Sequence, residues 1–220
     1  KLVPWLVVAL VVRLLLIIFT IHPDIRGYNL GAYIISQKGA FLGFYDYIRW
    51  LPRDHDWVRV FGDGLFIYPP LAYLIQAFFM KLLSPFYSWD TFLALVKDMD
   101  QVVRNRVPLW GLLFLLKAPF LVFDFASLWV LGKLFDDKDK KFLAQMLWLF
   151  NPVVIYASYM VSQFDVVLVF FIILGLLFYS KGRSVFAALF LGLAAGVKVF
   201  PILLLPFIAF SGGKSSLEKI

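Results

Sequence analysis

The chain has 220 residues, 62% of them hydrophobic, and a mean hydropathy of +0.86. A soluble domain of this length has no core able to hide so much apolar surface, and the continuous apolar runs lack the alternation of a membrane β-barrel. The net charge of +7 comes largely from Lys and Arg beside those runs, which points to anionic headgroups rather than nucleic acid, and the absence of cysteine excludes disulfides and thiolate metal sites.

An apolar run of about 20 residues crosses the hydrocarbon layer as a helix. Six segments approach that length: Leu2–Ile21, Phe66–Leu83, Val107–Phe135, Phe142–Met160, Phe164–Tyr179 and Val185–Phe210. The expected fold is therefore all-α, a polytopic transmembrane bundle of about six or seven membrane segments forming one domain over residues 1–220. Leu2–Ile21 carries Arg13 and has no small-residue cleavage site after it, so it reads as a retained span and not a signal peptide.

Residues 22–65 form a long connection dense in Tyr, Trp and Phe, which suits the membrane–water interface, and Leu30 to Gln37 is expected as a short helix lying flat there. Residues 84–106 place Phe92, Leu95, Val96, Met99, Val102 and Val103 near helical spacing among charges, predicting an interfacial amphipathic helix. Two charged turns follow, residues 136–141 and 180–183, and both favour the cytoplasmic side. Three full spans counted from a cytoplasmic N-terminus put residues 136–141 on the other side, so one segment must be re-entrant, doubled or wrongly bounded. Val107–Phe135, with Lys117 and Pro119 at mid-length, and the short second segment are the candidates.

Ionisable groups inside apolar segments cost roughly 2.5–3.5 kcal/mol each on insertion scales, and so mark sites. Arg13 and Lys81 are expected to snorkel to an interface. Lys117 and Asp124, seven residues apart, share a helix face and read either as a neutralised structural pair or as part of a site. Lys198 follows the small-residue run Gly192–Val197 and precedes Pro201, so a cation sits where a helix is broken. That suits a lipid phosphate, the alternative being a lysine snorkelling at a helix end. Asp24 directly follows the first span and Pro23, where a carboxylate can act as general base on a hydroxyl.

Taken in order, these pieces resemble the GT-C superfamily of membrane glycosyltransferases, most closely the polyprenol-phosphate-mannose-dependent mannosyltransferases. The resemblance rests on four patches: Asp24, Tyr28, Ala32, Gly39 or Gly43, and Tyr45; Phe66-Ile67-Tyr68-Pro69-Pro70-Leu71; Leu116-Lys117-Ala118-Pro119 with Asp124; and Asn151-Pro152, Ser162-Gln163-Phe164-Asp165, Lys181-Gly182-Arg183 and Gly192 to Lys198 with Pro201. Ser162 departs from the family, which commonly has glycine there; serine is tolerable unless the backbone must take a positive φ.

The resemblance implies an inverting transferase that moves a mannose-like hexose from a polyprenyl-phosphate carrier to a glycan or lipid acceptor at the extracytoplasmic face. It implies Asp24 as the base, Lys198 and Lys117 as phosphate contacts, Gln163 and Asp165 as lining from a hairpin tip, and Tyr28 and Tyr68 in the substrate groove. No metal or other cofactor is implied. A multi-pass location in a prokaryotic plasma membrane follows. Two other readings are a transporter or lipid flippase, which intramembrane charges and broken helices also suit, and a non-catalytic membrane subunit.

Overall fold

The computed structural model describes residues 1–62 and 66–211, with side chains described to residue 208. Leu65, at the end of the expected first loop, and Lys214 and Lys219 of the tail lie outside the described residues. The structure is 78% helical, and no strand occurs among the described residues.

Helix α1 (Val3–Phe19) buries only Ala9, Arg13 and Ile17, four residues apart, while Val7, Val11, Leu15 and Phe19 remain exposed. An apolar helix with one narrow protein-facing stripe is what a lipid-facing helix requires. The chain then bends by 85° into α2 (Asp24–Lys38). The break begins at Thr20, which takes an extended conformation, and Pro23 follows as the cap that starts α2. Helix α2 contains the expected short helix and is covered by other segments, since every residue from Tyr28 to Ile35 is buried. It packs against α5 (Pro70–Leu82) so closely that a Cβ on Gly31 would lie 2.6 Å from the Tyr73 ring. Short helices α3 (Phe44–Tyr47) and α4 (Asp56–Phe61) complete the described part of residues 22–65.

The expected amphipathic helix over residues 84–106 is two helices, α6 (Trp89–Lys97) and α7 (Met99–Arg104). They separate at Asp98, which takes an extended conformation and caps α7 by accepting the Gln101 amide at 2.8 Å. Val107–Phe135 is not doubled. It contains one uninterrupted helix, α8 (Trp110–Leu131), with Pro119 inside it. Helix α9 (Lys138–Leu149) is capped by Asp137, and Asn151 caps the short α10 (Pro152–Val154), which runs into a π-helical turn over Ile155–Met160. Helices α11 (Asp165–Ser180) and α12 (Ser184–Val197) form a close hairpin, with α13 (Leu205–Ser211) after a 3₁₀ segment.

Two helical stretches, Trp110–Leu131 and Lys138–Met160, are long and apolar enough to cross a membrane, and the bent pair α1–α2 makes a third if counted as one span. Helices α5, α11 and α12 are apolar but shorter, with 13, 16 and 14 residues. At 1.5 Å per residue they reach only about 20–24 Å. The six apolar segments are therefore largely helical, and the last is divided at Lys198 and Pro201 into pieces shorter than a full crossing. Apolar helices of this kind mark a membrane protein.

Candidate functional site

Four segments converge where the chain leaves α1. Asp24 is the first residue of α2, where a helix N-terminus favours a carboxylate. Its Oδ2 accepts a hydrogen bond of 2.5 Å from Gln163 Nε2, across 139 residues of sequence. His22 Nδ1 lies 3.3 Å from both the Asp24 amide and the Asp24 Oδ1. Gln163 lies in the tight turn between the π-helical segment and α11. Ser162 makes that turn with φ of +68°, the left-handed region where glycine is at ease, and its buried hydroxyl has no hydrogen-bond partner.

Asp24, Tyr28, Phe61, Tyr68 and Gln163 line a cleft of about 260 Å³. That is near the lower bound of about 300 Å³ for small-molecule sites, room for a sugar-sized group. Tyr28 is buried with its ring edge-on to Phe164 at 5.5 Å, and Tyr68 meets Phe164 at 4.7 Å. Tyr45 donates to the Tyr68 carbonyl at 2.6 Å and so holds the start of the Tyr-Pro-Pro segment.

Lys198 and Asp165 adjoin this cleft. Helix α12 ends at Val197, and Lys198 is its extended cap, so this cation is carried by the helix end whose dipole favours positive charge. Asp165 opens α11 and thus meets a helix N-terminus. The two side chains form an ion pair, both partly exposed. The Lys198 ammonium also lies 5.7 Å from the Tyr68 ring centre and 5.4 Å from that of Phe164. Tyr68 therefore links the two groups, since it lines the cleft with Asp24 and Gln163 and its ring neighbours the ammonium that pairs with Asp165.

Lys117 is placed differently. Its side chain is wholly buried, and Nζ donates to the Thr20 carbonyl at 2.7 Å, the Thr20 hydroxyl at 3.1 Å and the Tyr159 carbonyl at 2.9 Å. Three acceptors take up all three ammonium protons. Thr20 caps α1 four residues before Asp24, and Tyr159 lies at the end of the π-helical turn, next to last in it and four residues before Gln163. Lys117 thus ties together the two segments that present the Asp24–Gln163 pair.

Asp124 does not pair with Lys117. Its Oδ2 accepts from Arg13 Nε at 2.6 Å and from the Tyr159 hydroxyl at 2.6 Å, while Oδ1 accepts from Trp148 Nε1 at 2.8 Å. Arg13, expected to snorkel, is instead fully buried, and its Nη1 also donates to the Leu149 carbonyl at 3.0 Å. Lys81 remains exposed. A second buried link joins α5 to α2 and α8, where Gln76 Nε2 donates to Asn29 Oδ1 at 2.8 Å and to the Leu116 carbonyl at 2.9 Å. Reading the sequence for charges passed over Asn29 and Gln76, although a lone amide in an apolar helix carries the same signal.

Comparison with known proteins gives one match. The sequence model of glycosyltransferase family 87 matches residues 66–217, more than two thirds of the chain. No curated protein and no solved structure matches significantly. The matched region contains the Tyr68, Lys117, Gln163, Asp165 and Lys198 positions, and the chain belongs to glycosyltransferase family 87, a family of GT-C type membrane glycosyltransferases.

Proposed function

We propose that this glycosyltransferase is inverting, and moves a mannose-like hexose from a polyprenyl-phosphate carrier to an acceptor hydroxyl at the extracytoplasmic membrane face, with Asp24 as base. The observation that carries the proposal is the cleft in which Asp24 is oriented by Gln163, with the Lys198 ammonium 5.7 Å from the ring of Tyr68, a residue that lines that cleft.

In this reading the Asp24 carboxylate takes the proton of the acceptor hydroxyl. The acceptor oxygen attacks the anomeric carbon from the face opposite the phosphate, a new glycosidic bond forms, and the bond from that carbon to the carrier's phosphate oxygen breaks. The electron pair leaves with the lipid phosphate, whose charge Lys198 meets at the α12 terminus. Asp165 holds that ammonium until the phosphate competes for it. A pre-placed cation costs little reorganisation in the transition state. Lys117 acts one step back, since its protons are already committed to Thr20 and Tyr159.

Family membership favours transfer chemistry over the transport and scaffold readings. In the proposed topology, residues 22–65 form the extracytoplasmic loop of a multi-pass protein in a prokaryotic plasma membrane. The test is Asp24→Asn, an isosteric change that keeps the Gln163 contact. Transfer should fall by about 10²–10⁴-fold, the usual contribution of a general base, while membrane insertion is unchanged. Full transfer by that variant would remove Asp24 from the mechanism.

A further inference from the structure

A second cleft, of about 280 Å³, lies beside the first and is lined by His55, Asp56, Trp57, Leu93, Ala94 and Lys97. It opens between the start of α4 and the outer side of α6. Helix α4 connects the two clefts, because Trp57 lines this one and Phe61, four residues on, lines the one holding Asp24. Four helical residues rise about 6 Å, close to the length of one sugar ring.

The walls of this cleft combine a fixed aromatic surface with paired charges. Trp57 meets His55 edge-on at 5.0 Å and Tyr33 at 6.1 Å, and Tyr33 in turn packs on Trp89 and Phe92, so the indole is held from behind by α2 and α6. His55 Nδ1 accepts the Trp57 amide at 3.2 Å, which leaves Nε2 as the proton-bearing nitrogen of the neutral ring. Asp56 and Lys97 pair at 2.8 Å with both side chains well exposed. The Lys97 ammonium holds the Asp56 carboxyl below the usual carboxylate range, so the pair is ionised at neutral pH.

A saccharide meets these demands. Its C–H face lies against an indole, and its hydroxyls both donate to a carboxylate and accept from an ammonium. A phosphate headgroup fits less well, because Asp56 already cancels Lys97 and would repel a second anion.

We infer that the cleft of His55, Asp56, Trp57 and Lys97 is a saccharide-binding subsite for the acceptor, holding one sugar ring of a glycan whose next hydroxyl reaches Asp24. The role in transfer rests on the reading of Asp24 given above, whereas the binding does not.

The experiment uses the full chain in phospholipid nanodiscs, with methyl α-mannoside and methyl α-dimannoside as probes, read by saturation-transfer NMR and by transfer kinetics with a polyprenyl-phosphate-sugar donor. The dimannoside should bind to the unmodified chain and equally to Asp24→Asn. Trp57→Ala, and separately Asp56→Asn combined with Lys97→Gln, should each weaken binding by about tenfold and raise the acceptor KM with the donor KM unchanged. The double variant leaves the aromatic cluster intact and so guards against loss of fold in Trp57→Ala. Undiminished binding in both variants, no binding to the unmodified chain, or a rise in the donor KM instead would overturn the subsite. Full transfer by Asp24→Asn with saccharide binding lost in the Trp57 variant would defeat the base assignment alone.

Discussion

Replacing Ser162 with glycine tests the turn that delivers Gln163 to Asp24. Ser162 holds φ at +68°, which costs an L-residue about 1–2 kcal/mol. Its buried hydroxyl has no partner, which costs about 1–3 kcal/mol more. Glycine removes both penalties and loses about 0.5–1 kcal/mol of added chain entropy on folding. The expected net gain is about 1–4 kcal/mol, at roughly 2–4 °C per kcal/mol in the unfolding midpoint for a chain of this size. Ser162→Ala separates the terms, because it relieves the hydroxyl and keeps the Cβ, and should gain about 1 kcal/mol less than glycine. Thermal unfolding in nanodiscs, followed by the fluorescence of the seven tryptophans, reads both variants. Transfer should survive in Ser162→Gly, since the turn keeps its direction. An alanine variant as stable as the glycine variant, or a glycine variant less stable than the unmodified chain, would refute the assignment of backbone strain.

Two further variants test the buried polar network. Lys117→Met leaves the Thr20 carbonyl without its donor and the Tyr159 carbonyl with the Thr20 hydroxyl alone, at a cost of about 1–3 kcal/mol; the unfolding midpoint should fall, and so should kcat, because the segments bearing Asp24 and Gln163 lose one of the ties between them. Arg13→Met strands the Asp124 carboxylate and should cost about 3–5 kcal/mol, whereas Arg13→Met combined with Asp124→Leu should recover most of that loss in the same unfolding assay.

The helical, membrane-embedded character of the chain was legible from apolar run length alone, because the backbone in lipid must satisfy itself within each segment. Asp24, Asp165 and Lys198 were picked out as charges in or beside apolar runs, Tyr68 and Gln163 only through the family resemblance, and the structure brings them to one region. Partner choice was not legible. Lys117 and Asp124 share a face of α8, yet Asp124 pairs with Arg13 and Lys117 with two carbonyls, since which helix lies opposite is a tertiary fact. The burial of α2 was not legible for a related reason. Its mixed composition suits an interface, but α5 and α6 cover it, and Gly31 permits the close approach. The positive φ of Ser162 was invisible as an angle and visible only as a conditional, since glycine is the usual residue there.

The wide turn at Ile155–Met160 has a geometric consequence for the whole hairpin. Its bonds run five residues back, as from the Val161 amide to the Tyr156 carbonyl at 2.9 Å, so the turn holds one residue more than an α-helical path of the same height. Excising any one residue there would let the segment rewind to ordinary pitch, and everything downstream would rotate by about 100° about its axis. The amide of Gln163 would then swing away from the carboxylate it now steadies. The surplus residue thus works as a phase setting: it fixes the angle at which one half of the cleft faces the other, independently of which side chains line either half.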